Sequence, residues 1–184
     1  MTSSEIKVGS WCARVERKGS TTMGMGQSPE LCVEIYRNTG PMLFRGVLCG
    51  RLAGGEGALR VEFDDQMRIS AVGEIVESSF SSFPLFDGLP SEYEAAVEAG
   101  ARLAETIIGT PIAGTLIVEA AAHHPIYSSV VTFKLASGLL TASHARLADG
   151  KPIDDSWAGE TFYELAVLIG VDGLDGPRQK SAST

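Results

Sequence analysis

The sequence predicts an α+β fold, a two-layer sandwich in which a mostly antiparallel sheet is packed by helices. In the first half, short β-branched and aromatic runs alternate with turns rich in Gly, Pro and Asn, which is typical of a strand meander. In the second half, three stretches carry apolar residues at helical spacing, and one extended apolar run lies between the first two. Strands followed by helices in this order favour the α+β class over a parallel sheet.

The strands of the first half are predicted from alternation and from their flanking turns. In the first of them Trp11, Ala13 and Val15 share one face, which marks it as the buried face. Residues 51–57 (RLAGGEG) carry too many glycines for a regular element, so we predict a flexible turn there. The predicted strands cover residues 6–18, 31–36, 42–49, 58–63 and 67–76.

The first helix is predicted to open at Pro90 and to run to residue 108. Ser91 and Glu94 have the spacing of a capping box. Gly100 lies on the apolar stripe of this helix, where a missing side chain lets the helix approach a sheet closely.

Two further helices are predicted towards the end of the chain. Residues 130–146 are apolar nearly all round, which predicts a well-buried helix with His144 structural or exposed. Residues 156–169 form the last helix, and Asp155 is its predicted cap.

The run GTPIAGTLIVEAAAHHPIYSSVVTFKLA, residues 109–136, organises the second half. It predicts a strand over 111–122, a polar tip at His123 and His124, and then the second helix. Pro125 cannot donate to a ladder, so strand pairing should end there. The expected result is an exposed tip on a rigid strand and a rigid helix, presenting two imidazoles, a phenol and two hydroxyls from His123, His124, Tyr127, Ser128 and Ser129.

Length and composition bound the class of protein. At 184 residues, with 44% hydrophobic and 21% charged residues, the chain fits one soluble globular domain. No apolar run of about eighteen residues and no secretory signal are visible, so we expect a cytoplasmic protein that does not span a membrane. The three cysteines are odd in number and widely spaced, which predicts reduced thiols.

The charge distribution argues against nucleic-acid binding through charge alone. The net charge is −8, with eight Lys or Arg against eight Asp or Glu in residues 1–66, and seven against fifteen in residues 67–184. The acidic residues therefore lie mostly on the helical half.

Motifs for common catalytic sites are absent from the sequence. There is no phosphate-binding loop of the Gly-x4-Gly-Lys-Ser/Thr type and no Gly-x-Ser-x-Gly elbow. His123 and His124 are adjacent and point to opposite sides of an extended backbone, so neither a metal site nor a cofactor is predicted. Ser128 with His124 as nucleophile and base remains an alternative, whereas helix capping is the other interpretation of the serines.

Three blocks of the sequence resemble domain IV of bacterial translation elongation factor G. Residues 109–138 are similar to a Gly-aromatic-Pro turn, a strand, a Tyr-His-x-x-Asp-Ser-Ser tip and a Met-Ala-Phe-Lys-Ile-Ala-Gly helix. Residues 89–100 (LPSEYEAAVEAG) resemble the family's Ile-Pro-Lys-Glu-Tyr-x-x-Ala-Val-x-x-Gly helix. Residues 24–27 resemble the Gly-Arg-Gly-Gln of the family's other tip loop. The blocks follow in the family's order over roughly residues 10–145.

The resemblance implies a fold with a βαβ unit of left-handed crossover and a tRNA-mimicking tip without the GTPase. It implies a binding tip made of two loops, with Gly24, Met25, Gly26, Gln27, His123, His124, Tyr127, Ser128 and Ser129. This chain departs from the family where Met25 replaces the loop Arg, where Tyr127 replaces the tip Asp and where Val130 replaces the following Glu. Residues 39–66 look like a hairpin added to the family domain.

The sequence thus leads to three functional hypotheses. The resemblance implies that residues 1–150 form a domain IV-like unit, and residues 151–184 are expected to add a helix packed on it and a mobile tail. The first hypothesis is a non-enzymatic binding protein that contacts rRNA, tRNA or mRNA at the decoding region of the ribosome. The second is a protein-binding or oligomerising module on the same fold. The third is a hydrolytic enzyme that uses His124 and Ser128.

Overall fold

The computed structural model describes residues 3–17, 31–39, 42–65, 75–76, 85–172 and 174. It confirms the α+β class: one mostly antiparallel sheet is packed by helices. The strands are β1 Ser3–Val8, β2 Trp11–Arg17, β3 Leu31–Thr39, β4 Met42–Ala58, β5 Arg60–Phe63, β6 Ile75–Val76, β7 Leu85–Asp87 and β8 Ala113–His123. The helices are a short 3₁₀ helix Ser91–Tyr93, α1 Glu94–Ile108, α2 Val130–Ala148 and α3 Asp155–Ile169.

The strand order of the sheet is β1-β2-β3-β4-β8-β7-β6, with antiparallel neighbours throughout. The first four strands pair in chain order, which confirms the predicted meander for that part of the chain. The stretch predicted over 58–63 does not continue the meander, and most of the stretch predicted over 67–76 lies outside the described residues. β5 pairs with β8 in parallel, and the chain between them passes through α1. The chain between β5 and β8 also forms β6 and β7, so the βαβ unit of left-handed crossover that the resemblance implies stays a prediction.

Two predicted strand limits are wrong. The stretch predicted as one strand over 6–18 is a hairpin, because the chain turns at Gly9 with φ 58° between β1 and β2. The turn predicted over 51–57 is part of β4, since Arg51, Leu52 and Ala53 continue the ladder with β8. The glycines beyond Ala53 are exposed and fall in an irregular part of that ladder, so they interrupt the register without ending the strand.

The segment that resembled an added hairpin, 39–66, is integral to the sheet. β4 lies between β3 and β8; residues 42–50 pair with β3, and residues 46–53 and 58 pair with β8. Leu48 and Leu52 of β4 belong to the core and are buried. The segment therefore contributes the central strand of the sheet, and its being an addition to the family domain stays a prediction.

The helices form a layer over the buried side of the sheet. α2 packs against β3 and β4, α3 packs against β1, and α1 packs against α2. Trp11, Ala13 and Val15 lie under this layer, as their alternation predicted. α2 is buried from Thr132 to His144 except at Lys134, which confirms the helix predicted to be apolar all round. None of the helices in the described ranges is long and apolar enough to cross a membrane.

Gly100 allows two helices to approach each other closely. The predicted close approach is confirmed, but the partner is α2 rather than a sheet, because a Cβ at Gly100 would overlap the carbonyl oxygen of Lys134. Gly138 lies on the facing side of α2, where a Cβ would come within 3.1 Å of the Gly100 oxygen and 2.6 Å of Leu165 Cδ2. The three helices therefore meet where glycines on α1 and α2 leave room for close packing, with no space for a Cβ at Gly100 and a tight fit at Gly138.

The predicted helix caps differ from the observed ones. The Ser91–Glu94 capping box is wrong, because α1 begins after Tyr93 without any side-chain cap and the short 3₁₀ helix precedes it. For α3 the cap is Asp154 rather than Asp155, and its Oδ1 accepts from Trp157 N at 2.9 Å. Both observed starts lie within a few residues of the predicted ones.

The prediction of reduced thiols is wrong for two of the three cysteines. Cys32 and Cys49 form a disulfide, with their Cα atoms 4.0 Å apart. The two residues lie opposite each other in the β3–β4 ladder, a register that their spacing of 17 residues in the sequence does not disclose. Cys12 is a free cysteine, and burial raises the pKa of its thiol.

His144 is a structural residue of the core. Its side chain is fully buried, and Nε2 donates to the Gly50 carbonyl oxygen at 2.9 Å. Nδ1 is buried without a hydrogen-bond partner. Burial lowers the pKa of this imidazole to about 4, although the bond to Gly50 acts in the opposite direction.

The close contact of α1 and α2 predicts the effect of adding one methyl group. Gly100→Ala should lower the free energy of unfolding by about 1–3 kcal/mol, because the new Cβ overlaps the backbone of α2. Gly159→Ala is the matched control, since its Cβ would lie an ordinary 3.6 Å from Ile6 Cγ2 within a helix. The control should be neutral or stabilising by up to about 1 kcal/mol. Urea unfolding measures both; equal effects would contradict the prediction.

The buried imidazole of His144 predicts a loss of stability in acid. The unfolded chain takes up a proton near pH 6.5, whereas the folded chain does so near pH 4, so stability is complete above 6.5 and falls as pH decreases towards 4. The loss amounts to about 3 kcal/mol. His144→Gln keeps a donor for Gly50 and cannot titrate. Urea unfolding at successive pH values gives the free energy of unfolding of both proteins. The difference between wild type and His144→Gln should change by about 3 kcal/mol between pH 6.5 and pH 4. Parallel pH profiles of the two proteins would contradict this prediction.

Candidate functional site

The candidate site is the connection between β8 and α2, residues 123–130, which we call the tip loop. Strand pairing of β8 ends at His123, which lies opposite Gly46 of β4 and Phe86 of β7. This agrees with the prediction that pairing stops before Pro125. α2 begins at Val130, so the loop is held between a central strand and a buried helix.

Hydrogen bonds to the backbone of Arg45 fix the tip loop to β4. Ser128 Oγ donates to the Arg45 carbonyl oxygen at 2.5 Å and accepts from His124 N at 2.8 Å. Arg45 N donates to the Tyr127 carbonyl oxygen at 2.9 Å, and Ser128 N donates to the His124 oxygen at 3.0 Å. These four bonds satisfy the polar groups where β4 extends past the end of β8.

The side chain of Arg45 anchors the same point of β4 to β3. Its Nε and Nη2 donate to Glu34 Oε1 at 2.9 and 2.8 Å, and the arginine side chain is 1% exposed. A buried ion pair with these short bonds fixes the orientation of β4 against β3 more than it adds to the free energy of unfolding. Sequence reasoning missed Arg45; the available signal was a single arginine inside the apolar run of residues 42–49.

The other tip serine caps the helix. Ser129 is the N-cap of α2, and its Oγ accepts from Thr132 N at 3.2 Å and lies 2.9 Å from Thr132 Oγ1. The sequence left helix capping and catalysis open for the serines, and capping is the role that Ser129 has. From the 3₁₀ helix, Tyr93 adds a bond from its hydroxyl to the Ser128 carbonyl oxygen at 3.2 Å.

The two imidazoles make different contacts. His123 Nδ1 lies 3.0 Å from the Gly88 carbonyl oxygen, which can only accept, so this nitrogen carries the hydrogen. His124 Nδ1 accepts from Ile126 N at 3.1 Å and from Tyr127 N at 3.3 Å, and its ring packs against the Tyr127 ring at a tilt of 31°, with centroids 4.4 Å apart. Burial lowers the pKa of His124, and the neighbouring His123 and Arg45 lower it further.

The apex of the tip loop is apolar and exposed. Ile126 is 75% exposed and Val130 48% exposed, and Pro125 between β8 and Ile126 is exposed as well. The tip loop and the adjoining residues 85–93 contain Asp87 and Glu92 but no Lys or Arg. An outside partner therefore meets aliphatic side chains first, and no cation from these two segments is available to a phosphate.

The second predicted tip element, Gly24 to Gln27, lies outside the described residues. The strand ends that flank it are described, and they point away from the tip loop. Arg17 pairs with Leu31, Leu31 with Gly50 and Gly50 with Val118, which is five residues, or about 16 Å of strand, before His123. The meeting of the two loops in one binding tip remains a prediction, and it requires the intervening residues to span that distance.

The described residues offer little for catalysis at the tip loop. Both hydrogen bonds of the Ser128 hydroxyl run to backbone atoms, so it is not paired with a ring nitrogen of His124. No group of three or more His, Cys, Asp or Glu side chains within the described ranges is placed to hold a metal ion. An open cleft of about 300 Å³ lies between β5 and α1, lined by Leu59, Arg60, Val61, Glu62, Glu98 and Arg102.

The bonds of Ser128 predict the effect of removing its hydroxyl. Ser128→Ala should lower the free energy of unfolding by about 1–3 kcal/mol, because the Arg45 oxygen and the His124 amide both lose a partner. Ser156→Ala is the control, since that exposed hydroxyl makes only a 3.5 Å contact with Glu160. Thermal unfolding and amide exchange at His124 measure the difference. A Ser128→Ala protein as stable as the control would show that the tip loop is not held this way.

Comparison with known proteins does not assign a family. No protein-family model matches the chain, and no curated protein matches it. Among solved structures it is similar to a protein from Thermus thermophilus, at 19% identity and TM-score 0.43 over 76% of this chain. It is also similar to a mevalonate kinase, at 8% identity and TM-score 0.37 over 79% of this chain. The chain spans 16% and 41% of the length of those two proteins, and neither similarity is close enough to carry a function to it.

Proposed function

We propose that this protein is a non-enzymatic binding module whose tip loop docks on the ribosome or on a translation complex. The observation that carries the proposal is the combination of a backbone fixed to Arg45 with an exposed apolar apex at Ile126. The partner class comes from the resemblance of residues 109–138 to the tip-bearing part of elongation factor G domain IV. A loop that is already ordered loses little conformational freedom on binding, so shape and apolar contact can suffice for recognition.

The composition of the apex supports contact by shape rather than by charge. The tip loop carries no Lys or Arg, and the loop Arg of the family is replaced by Met25. Phosphate contacts through Lys and Arg release counterions and make affinity steeply salt-dependent. Docking through Ile126, Pro125 and Val130 should instead depend weakly on salt, because burial of aliphatic surface carries the binding free energy.

A second candidate is a protein partner outside translation, recognised by the same tip loop. It is favoured by the acidic residues Asp87 and Glu92 beside an aliphatic apex, and by the direction of the strand ends that flank Gly24 to Gln27. An exposed aliphatic apex with a polar surround is common at protein interfaces.

A translation partner would place the protein in the cytoplasm. The disulfide between Cys32 and Cys49 weighs against a strongly reducing compartment, since such bonds are rare there. An oxidising compartment would therefore favour the partner outside translation, and a reducing one the translation partner.

Ribosome pelleting with paired variants tests the proposal. Wild type should pellet with ribosomes, and Ile126→Asp should bind at least about tenfold more weakly, because a carboxylate replaces an aliphatic side chain in the contact. Val167→Asp on α3 is the matched control, with 52% of the residue exposed, and should bind as wild type. Repeating the experiment at several salt concentrations should give a shallow dependence.

Other outcomes decide between the candidates. No pelleting of wild type at any salt concentration would overturn the translation partner. In that case a photo-crosslinker at position 126 should label one protein, in competition with unlabelled wild type but not with the Ile126→Asp variant, if the second candidate is correct. Equal pelleting by wild type and Ile126→Asp would show that the tip loop does not contact the ribosome.

A further inference from the structure

We propose that His124 is the positioning residue of the tip loop in its neutral form, and that the loop opens when the imidazole takes up a proton. The inference concerns the conformation of the tip loop and holds whichever partner the loop binds. It rests on the hydrogen-bond roles of the two ring nitrogens and on the groups that surround the ring.

The contacts of Nδ1 define the tautomer. Ile126 N and Tyr127 N both donate to this nitrogen, at 3.1 and 3.3 Å. A nitrogen that accepts hydrogen bonds carries no hydrogen, so the ring hydrogen of neutral His124 is on Nε2. The imidazole thus serves the loop as an acceptor, in the way that an Asn or Asp side chain serves an Asx turn.

Protonation reverses this role. A proton added to the neutral ring goes to Nδ1, which then becomes a donor facing the two N–H donors of Ile126 and Tyr127. Two hydrogen bonds are lost and replaced by repulsion between donors, while the packing of the imidazole against the Tyr127 ring keeps Nδ1 facing the two N–H groups. The ring must rotate out of the loop, or the backbone of Ile126 and Tyr127 must move away from it.

The opening should be confined to half of the tip loop. The backbone N and O of His124 are held by Ser128, and these bonds do not involve the imidazole. Ile126 and Tyr127, in contrast, lose the acceptor that organises them, and Tyr127 is then held through its oxygen by Arg45 N. Ile126 is the exposed apex, so protonation acts on the residue that an outside partner meets first.

The surroundings of the ring oppose the charged form. Arg45 on β4 and His123 on β8 are basic groups on either side, and both lower the pKa of His124, after burial as the largest cause. Tyr127 from the loop and Phe86 from β7 contact the ring without adding charge, and β7 also carries the exposed Asp87. α2 adds the positive end of its dipole at Val130. The tip loop is therefore closed at neutral pH and opens as the pH falls below the ordinary titration range of histidine.

Nuclear magnetic resonance of the full chain tests the inference. The ring ¹⁵N shifts of His124 and the exchange rates of the Ile126 and Tyr127 amides are followed from about pH 8 to about pH 4. We expect the Nε2–H tautomer at neutral pH and a midpoint below 6.5. At that midpoint the two amides should lose about tenfold or more of their protection, after correction for intrinsic exchange. Ser128 N, which bonds to the His124 oxygen, should keep its protection.

Three variants separate positioning from general stability. His124→Asn keeps an acceptor where Nδ1 was and cannot titrate, so its two amides should stay protected across the pH range. His124→Leu has no acceptor, so the same amides should exchange rapidly at every pH. His123→Asn removes one neighbouring basic group that lowers the pKa of His124, so the His124 midpoint should move upwards.

Two results would overturn the inference. The first is protection of the Ile126 and Tyr127 amides that persists through the titration of His124. The second is a His124→Asn variant that shows the same pH-dependent opening as wild type, since the proton would then act elsewhere. Unchanged exchange of the core amides of α2 verifies in each variant that the fold is intact.

Discussion

The arrangement of the tip loop depends on Arg45. Its side chain is buried against Glu34, which ties β4 to β3, and its backbone N and O hold Tyr127 and Ser128. One residue therefore links the interior of the sheet to the exposed apex. Removing either Arg45 or Glu34 alone would leave a buried charge without its partner, which is strongly destabilising. The rigidity of the tip loop is a property of the central sheet and is only partly local.

The helical layer supports the same loop from the other side. α2 can be buried on all sides because α1 approaches it at Gly100 and α3 approaches it at Gly138. Polar side chains on α2 are accommodated inside this layer, as where Ser137 Oγ donates to the Val97 carbonyl oxygen at 2.6 Å. A helix fixed in this manner keeps its first turn in place, and the cap at Ser129 then fixes where the tip loop ends.

The sequence predicted those features that depend on local pattern. The alternation around Trp11, the apolar run of α2 and the stop at Pro125 each follow from side chains close together in the chain. Features that depend on the register between strands could not be predicted from the sequence. The Cys32–Cys49 bond and the bonds of Arg45 to the tip loop require knowing which strand lies beside which, and this is set by pairing over tens of residues. The turn predicted for the glycine-rich end of β4 was wrong for the same reason, because pairing with β8 keeps that segment extended.

The central position of β4 has a consequence for where the connections at the two ends of the sheet lie. One antiparallel strand between β3 and β8 makes these two strands run in the same direction, whereas direct antiparallel pairing would make them run in opposite directions. The hairpin connection from Arg17 to Leu31 therefore leaves and re-enters the sheet on the side facing Ala113, and the β8–α2 connection leaves on the other side. The described ends of the two connections therefore lie at opposite ends of the sheet, so a contact through both would have to span at least the part of β8 between Val118 and His123.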